Sequence, residues 1–177
     1  MQSGDPGRGQ NVILRAIILA GGLAGGAVTS QFPEFSQQYL QRLGGAVDAL
    51  EDVTADFDAT AQSVGLSRDD ALAQMTGTPF LDRRRLDMTT TFQRHDALSA
   101  ALAKLEGQGP FMRAYYLPQM RDTQIAKAAW AVYQPAVPLN LAGLIFAGAG
   151  FLFAAIALGF VFRLFAMPFR RSKAIAD

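Results

Sequence analysis

An uninterrupted apolar run near the C-terminal end of the chain constrains the fold more than any other feature. Residues 141–162, LAGLIFAGAGFLFAAIALGFVF, contain no charged side chain. About 20 helical residues are enough to cross the hydrocarbon core of a bilayer. A buried helix of a soluble protein is normally shorter and polar on one side. The run therefore predicts a transmembrane helix, which we place with its flanks at residues 138–168.

A second apolar segment lies near the N-terminus. Residues 16–28 form a core of apolar and small side chains, preceded by Arg8 and Arg15. This length also fits the hydrophobic region of a secretory signal peptide. Because Met1 is retained, we favour an uncleaved first span over residues 11–31, with Arg15 reaching the interface. The polar residues 1–10 before it are expected to be flexible.

Glycines at helical spacing suggest how these segments pack. Gly21 and Gly25 are four residues apart, as are Gly22 and Gly26, so each pair lies on one helix face. In lipid, association depends on close van der Waals approach, which small residues permit. We expect a packing face built from these four and from Gly143, Gly148 and Gly150 of the second span. Its partner is the second span, another copy or a different membrane protein. The alternative is that small residues are simply common in membrane helices.

Basic residues near the two spans predict the orientation. The expected interface anchors are Arg15, Arg163, Arg170 and Arg171 on one side and the aromatic pair Trp130 and Tyr133 on the other. Lys and Arg concentrate in cytoplasmic flanks. We therefore expect both termini, including a basic tail at 169–177, in the cytoplasm of a bacterium. Residues 32–137 would then be a periplasmic domain held on the inner membrane.

The middle of the chain has the periodicity of helices. Apolar and small residues recur in steps of three and four from Phe32 to Val64, which predicts one amphipathic helix of about 30 residues. Ser67 and Asp70 form a capping pair for a short helix. Further helices are expected over 80–106 and 111–133, the latter interrupted at Pro118. The predicted core of the hairpin consists of Phe35, Tyr39, Leu43, Leu50, Val53, Phe57, Phe92, His95 and Leu102. The fold class is an all-α membrane protein with two transmembrane helices flanking an extramembrane antiparallel helical hairpin or bundle.

Motifs that carry chemistry are scarce. His95 is the single histidine and there is no cysteine, so a histidine- or thiolate-rich metal site is excluded. His95 is either a proton-responsive switch or, as we favour, a half-buried residue with one hydrogen-bond partner. Asp48, Glu51, Asp52 and Asp56 could hold calcium but more often form a solvated face. Phosphate-loop, nucleophile-elbow and metalloprotease signatures are missing. We expect no enzyme activity, no cofactor, no metal and no nucleic-acid partner.

The stretch GGLAGGAVTSQFPEFSQQYLQRLGGAVDALEDVTADFDATAQSVGLSRDDAL, residues 21–72, resembles an uncharacterised family of small proteobacterial inner-membrane proteins, a domain of unknown function. The resemblance implies two spans and a helical middle. It implies no activity and no catalytic residues.

Two classes of function remain. The first is a structural or accessory subunit, whose partners are the lipid bilayer and transmembrane helices of itself or of a larger complex. The second is a sensing module that binds a periplasmic partner or ligand. The glycine faces and the long apolar stripe favour the first, and a deep polar pocket within the bundle would favour the second.

Overall fold

A computed structural model describes residues 6–135 and 140–170, with side chains over 12–135 and 140–165. All regular structure in these residues is helical, which confirms the predicted all-α class. The helices are α1 (Pro6–Thr29), α2 (Phe32–Ser63), α3 (Arg68–Gln74), α4 (Pro79–Leu105), α5 (Pro110–Tyr115), α6 (Thr123–Val132) and α7 (Leu141–Arg170), with a 3₁₀ turn at Leu117–Gln119. The chain divides into two compact units, one comprising Met1–Glu34 and Gln134–Asp177 and the other Phe35–Tyr133.

The first unit pairs two apolar helices. One helical stretch that begins at Val12 and another over Leu141–Phe165 are long and apolar enough to cross a membrane, and few of their residues are buried within the protein. Helix α1 begins at Pro6, where proline suits the first turn. Residues 6–10, predicted to be flexible, are therefore helical. Helix α7 begins beside Asn140, whose Oδ1 accepts a hydrogen bond of 2.7 Å from the backbone N–H of Gly143.

Local capping sets the helix ends of the second unit. The Ser67 hydroxyl accepts from the backbone N–H of Asp70 at 3.1 Å, as the capping pair predicts. Thr78 caps α4 in the same way, through the N–H of Leu81. The predicted interruption at Pro118 is a full break, because the 3₁₀ turn ends at Gln119 and α6 restarts at Thr123. The Asp122 carboxylate makes this restart possible by accepting from the N–H groups of Gln124 and Ile125.

Side chains from three helices form the core of the second unit. The buried cluster comprises Tyr39 and Leu43 of α2, Leu98 and Leu105 of α4, and Ile125 and Ala129 of α6, with Phe35, Leu50 and Leu102 packed partly buried against it. Further along, the Phe57 and Phe92 rings meet edge to face, with centroids 5.5 Å apart. Phe92 is buried, and Phe57 is half-buried.

Val53 is not a core residue, and its prediction was wrong. Its side chain is 46 % exposed, whereas the adjacent Thr54 is 4 % exposed. The half-buried Val47 and the buried Thr54 and Ala61 follow one another at seven-residue intervals, the repeat of a seam between supercoiled helices. The prediction followed the 3.6-residue period of a straight helix, which drifts from that seam. The Thr54 hydroxyl is accommodated because it donates to the Glu51 carbonyl at 3.0 Å.

Candidate functional site: the contact between α1 and α7

The glycine face of α1 lies directly against α7. A Cβ atom on Gly26 would stand 2.7 Å from the carbonyl oxygen of Ala147. A Cβ atom on Gly25 would stand 2.5 Å from the Cβ of Ala154 and 3.0 Å from the Gly150 oxygen. Real Cβ atoms essentially never come closer than 3.0 Å to such neighbours. Only hydrogen fits at these two positions, because neither the Ala147 backbone nor the Cβ of Ala154 can move aside as the end of a flexible side chain can.

The remaining glycines of this face meet side chains. A Cβ atom on Gly22 would lie 2.7 Å from the Phe151 ring, and one on Gly21 would overlap Leu158. The contacts proceed in opposite chain directions, since Gly21 faces Leu158 while Gly26 faces Ala147. The two apolar helices are therefore antiparallel, and the partner of the α1 glycines is the second predicted span of the same chain.

Thr29 adds a polar contact at one end of this pair. Its Oγ1 lies 2.8 Å from the Phe146 carbonyl oxygen of α7 and 2.9 Å from the Gly25 carbonyl oxygen of its own helix. A hydroxyl has one proton, so it donates to one carbonyl at a time or shares the proton between them. Gly150 makes room for this side chain, because a Cβ there would overlap Thr29. Sequence reasoning missed Thr29, although it stands four residues after Gly25.

The three glycines predicted on α7 have different roles. Gly150 lies in the contact, with its Cβ position 2.8 Å from the Gly25 oxygen. Gly148 does not, because no described atom outside its own helix backbone and neighbours lies within 4 Å of its Cβ position. Its assignment to this packing face was wrong, because it borders an open groove beside the contact, together with Leu23 and Ala27 of α1. Gly143 is buried in the first turn of α7, where Asn140 holds its N–H.

The predicted interface anchors are mostly exposed. Arg15 and Arg163 are exposed on α1 and α7. Arg170 is the last residue of α7, and its side chain, like all of Arg171, lies outside the described residues. In the second unit, Trp130 stacks on Tyr133 with centroids 5.6 Å apart. Both rings also meet Phe35 edge to face, at 6.1 and 6.2 Å.

His95 has more partners than the single one we favoured. Its Nε2 lies 2.7 Å from Glu51 Oε2 of α2 and 3.3 Å from the Ser99 hydroxyl, and its Nδ1 lies 3.4 Å from Asp96 Oδ1. The ring is half-buried between α2 and α4. It therefore links these two helices by polar contacts instead of belonging to the apolar core.

A second charged pair lies near the histidine. The Arg68 guanidinium pairs with Asp58 through two hydrogen bonds and sits 4.0 Å above the Phe92 ring. Hydrogen bonding from Arg68 holds the pKa of Asp58 below its usual value, since it favours the carboxylate. Together with Glu51, His95 and Asp96, the pair borders an open groove of about 350 Å³.

The acidic residues of α2 do not converge. Asp48, Glu51, Asp52 and Asp56 are all exposed. Within the described part of the chain, no three His, Cys, Asp or Glu side chains are close enough together to hold a metal ion. The geometry of this cluster is that of a solvated helix face.

Comparison with known families places the chain. A family model described as "Protein of unknown function (DUF2937)" matches residues 13–171, which include the helix contact and the whole second unit. The chain belongs to the DUF2937 family. The predicted membership of an uncharacterised family is therefore confirmed. No curated protein and no solved structure matches the chain.

Proposed function

We propose that this DUF2937 protein is a two-span protein of the bacterial inner membrane that serves as a structural or accessory subunit of a membrane assembly. The observation that carries the proposal is the closed α1–α7 contact with large apolar side chains left on its outside. These exposed residues include Ile17, Leu19 and Leu23 of α1 and Leu152, Phe153, Ile156 and Phe160 of α7. So large an apolar surface is favourable in lipid or against other membrane helices, and unfavourable in water.

The composition of the spans argues against transport by a single copy. In the described parts of α1 and α7, ionisable residues lie only toward the ends, at Arg8, Arg15, Arg163 and Arg170. Ion and proton pathways are usually marked by ionisable groups deep in the membrane or by broken helices. A continuous, tightly packed helix pair with apolar outer faces suits a scaffold that docks against a neighbour.

We propose that both termini face the cytoplasm and that α2 and α4 form a periplasmic hairpin. The basic flanks support this orientation. The chain contains no cysteine, so each introduced thiol is a unique probe. Ser63→Cys should react with a membrane-impermeant thiol reagent in intact spheroplasts, and Ser172→Cys should react only after the membrane is permeabilised. The opposite labelling pattern would reverse the topology.

Photocrosslinking tests the subunit role directly. Phe153 is exposed, whereas the Phe151 ring lies against Gly22 of the same chain. Replacing each in turn by a photoreactive phenylalanine analogue gives two probes of the same chemistry, two residues apart. In native membranes, the probe at 153 should form adducts with another protein chain and the probe at 151 only internal ones. If the probe at 153 captures lipid alone, the subunit proposal fails.

The groove beside His95 supports a second candidate, a periplasmic module that binds or senses a ligand. Charges of both signs line this groove, where Arg68 lies together with Glu51, Asp58 and Asp96. Native mass spectrometry of the full chain in mild detergent tests this function. A bound small molecule should be present in the parent and lost in His95→Ala. A parent free of any adduct would contradict the sensing role.

A further inference from the structure

The segment that contains α5 exposes an unusual run of large apolar side chains. Phe111, Met112 and Tyr115 of α5 and Leu117 of the following turn are all exposed, although the helix has only six residues. Such a concentration on a short surface element marks a site of interaction. This patch, residues 111–117, is separate from the α1–α7 contact.

Contacts within the second unit place the patch at one particular end. The Arg113 Nη1 of α5 donates a hydrogen bond of 2.6 Å to the Gln37 Oε1 of α2. Gln37 is two residues from Phe35, the first residue of this unit. Phe35 meets the ring of Tyr133, the last residue of the unit. The patch is therefore anchored at the end where the chain enters and leaves the unit.

Charge favours a lipid surface as the occupant. Arg121 and Lys127, close to the patch in sequence, are exposed cations, while the nearby Asp122 is paired with Arg94 at 3.0 Å. Two exposed carboxylates, Glu106 and Glu34 of α2, are also near the patch or its contact Gln37 in sequence, whereas the other exposed carboxylates of α2 begin at Asp48, 11 positions beyond Gln37 or about 16 Å along the helix. The exposed cations nearby, which also include Arg42 and Lys104, outnumber these two carboxylates. Bacterial membranes are rich in anionic headgroups, which attract exposed Lys and Arg near the surface.

We propose that residues 111–117 form an interfacial element that lies in the headgroup region of the bilayer, beside the points where the two spans begin. This inference rests on the proposed two-span membrane protein. Interfacial helices bury their apolar face about 5–10 Å into the headgroup boundary, and aromatic side chains favour that layer. The element holds the second unit against the membrane by a third attachment, in addition to its two covalent ones.

Tryptophan fluorescence of the full chain tests the proposal. Trp130 is the single tryptophan, so Trp130→Phe provides a silent background. In this background, Tyr115→Trp probes the patch and Phe80→Trp is the matched control. The two positions are equally exposed, at 74 % and 73 %. Phe80 lies in the first turn of α4, 12 residues or about 18 Å before Phe92. Phe92 in turn contacts α2 at Phe57, far along the helix from Gln37, so Phe80 is remote from the patch.

Each variant is reconstituted into vesicles of phosphatidylcholine and phosphatidylglycerol, with or without bromine atoms on the acyl chains near the headgroups. We expect brominated lipid to quench most of the emission of Tyr115→Trp and to leave that of Phe80→Trp unchanged. Equal emission of Tyr115→Trp in both lipids overturns the inference. That includes a blue-shifted but unquenched signal, which would indicate a protein contact such as a second copy.

Flotation of the same vesicles after an alkaline wash separates this outcome from failure of the proposed function. A chain that floats with the lipid but shows no quenching at position 115 refutes only the interfacial element. A chain that is washed off the vesicles refutes the two-span membrane protein itself, and the interfacial element with it.

Discussion

Substituting Gly26 by alanine should weaken the α1–α7 pair far more than the same substitution at Gly148. The added Cβ at Gly26 would lie 2.7 Å from the Ala147 oxygen, while ordinary contact begins at 3.4 Å. The difference, 3.4 minus 2.7, means that the helices must separate by about 0.7 Å at this point. A gap of that size forfeits about a quarter to a half of the dispersion energy of neighbouring atom pairs.

The expected cost follows from overpacking. Forcing an extra carbon into a close-packed contact typically costs about 1–3 kcal/mol. In a helix interior, alanine also stabilises the helical backbone by about 1 kcal/mol relative to glycine. Gly148→Ala carries the same backbone gain without the collision, so the difference between the two variants isolates the packing cost. That difference corresponds to about a 5- to 150-fold change in the equilibrium between paired and separated helices.

Energy transfer between two dyes measures this equilibrium in the full chain. The antiparallel register brings Val12 and Phe165 to the same end of the pair, and both side chains are exposed. Val12→Cys and Phe165→Cys can therefore be labelled in the cysteine-free chain without disturbing the contact. Dodecyl sulfate is added stepwise to the protein in mild detergent to separate the helices. Gly26→Ala should lose energy transfer at a lower mole fraction of dodecyl sulfate than Gly148→Ala. Equal midpoints would refute the argument that backbone contact at Gly26 holds the helices together.

Much of the architecture could be predicted because its determinants are local. The two apolar helices follow from runs of uncharged residues, and the long α2 follows from its periodic stripe. Ser67 and Asp70 identify the start of α3 because a cap involves residues only three apart. Residues Gly21, Gly22, Gly25 and Gly26 could be assigned to a packing face for the same reason, since helical spacing alone aligns them.

What could not be predicted depends on how one helix is rotated against another. Gly148 and Gly150 are both small residues of one apolar run, yet only Gly150 is in close contact with α1. Val53 and Thr54 are neighbours, and hydrophobicity selects the wrong one because the seam is set by the partner helix. The polar links of His95 to Glu51 and of Arg68 to Asp58 join residues of different helices, so no spacing rule within one helix identifies them.

Three further predictions follow from individual side chains. Tyr39→Phe should leave stability unchanged or raise it by about 1 kcal/mol, because the buried hydroxyl has no hydrogen-bond partner of normal geometry among the described residues. Burial raises the Tyr39 pKa, so hydrogen exchange of α2 should show the parent losing stability as pH rises above about 10 while Tyr39→Phe does not. The pKa of Asp58 is lowered in the folded protein, so its carboxylate contributes to folding stability above about pH 4. That contribution is lost as pH falls through the folded pKa. Asp58→Asn should therefore remove that acid-dependent loss, at a cost of at most about 1 kcal/mol near neutral pH because the pair with Arg68 is partly exposed. If the stability of Asp58→Asn depended on pH as that of the parent does, the pair of Asp58 with Arg68 would be excluded as the source of the acid-dependent loss. Thr29→Val keeps the shape of the side chain but removes the donor to the Phe146 carbonyl. Interhelical hydrogen bonds of this kind contribute on average about 0.6 kcal/mol in membrane proteins. In the energy-transfer assay, Thr29→Val should therefore fall between Gly148→Ala and Gly26→Ala. A loss as large as that of Gly26→Ala would mean that the hydrogen bond, and not the close approach of the two backbones, dominates the pairing of α1 with α7.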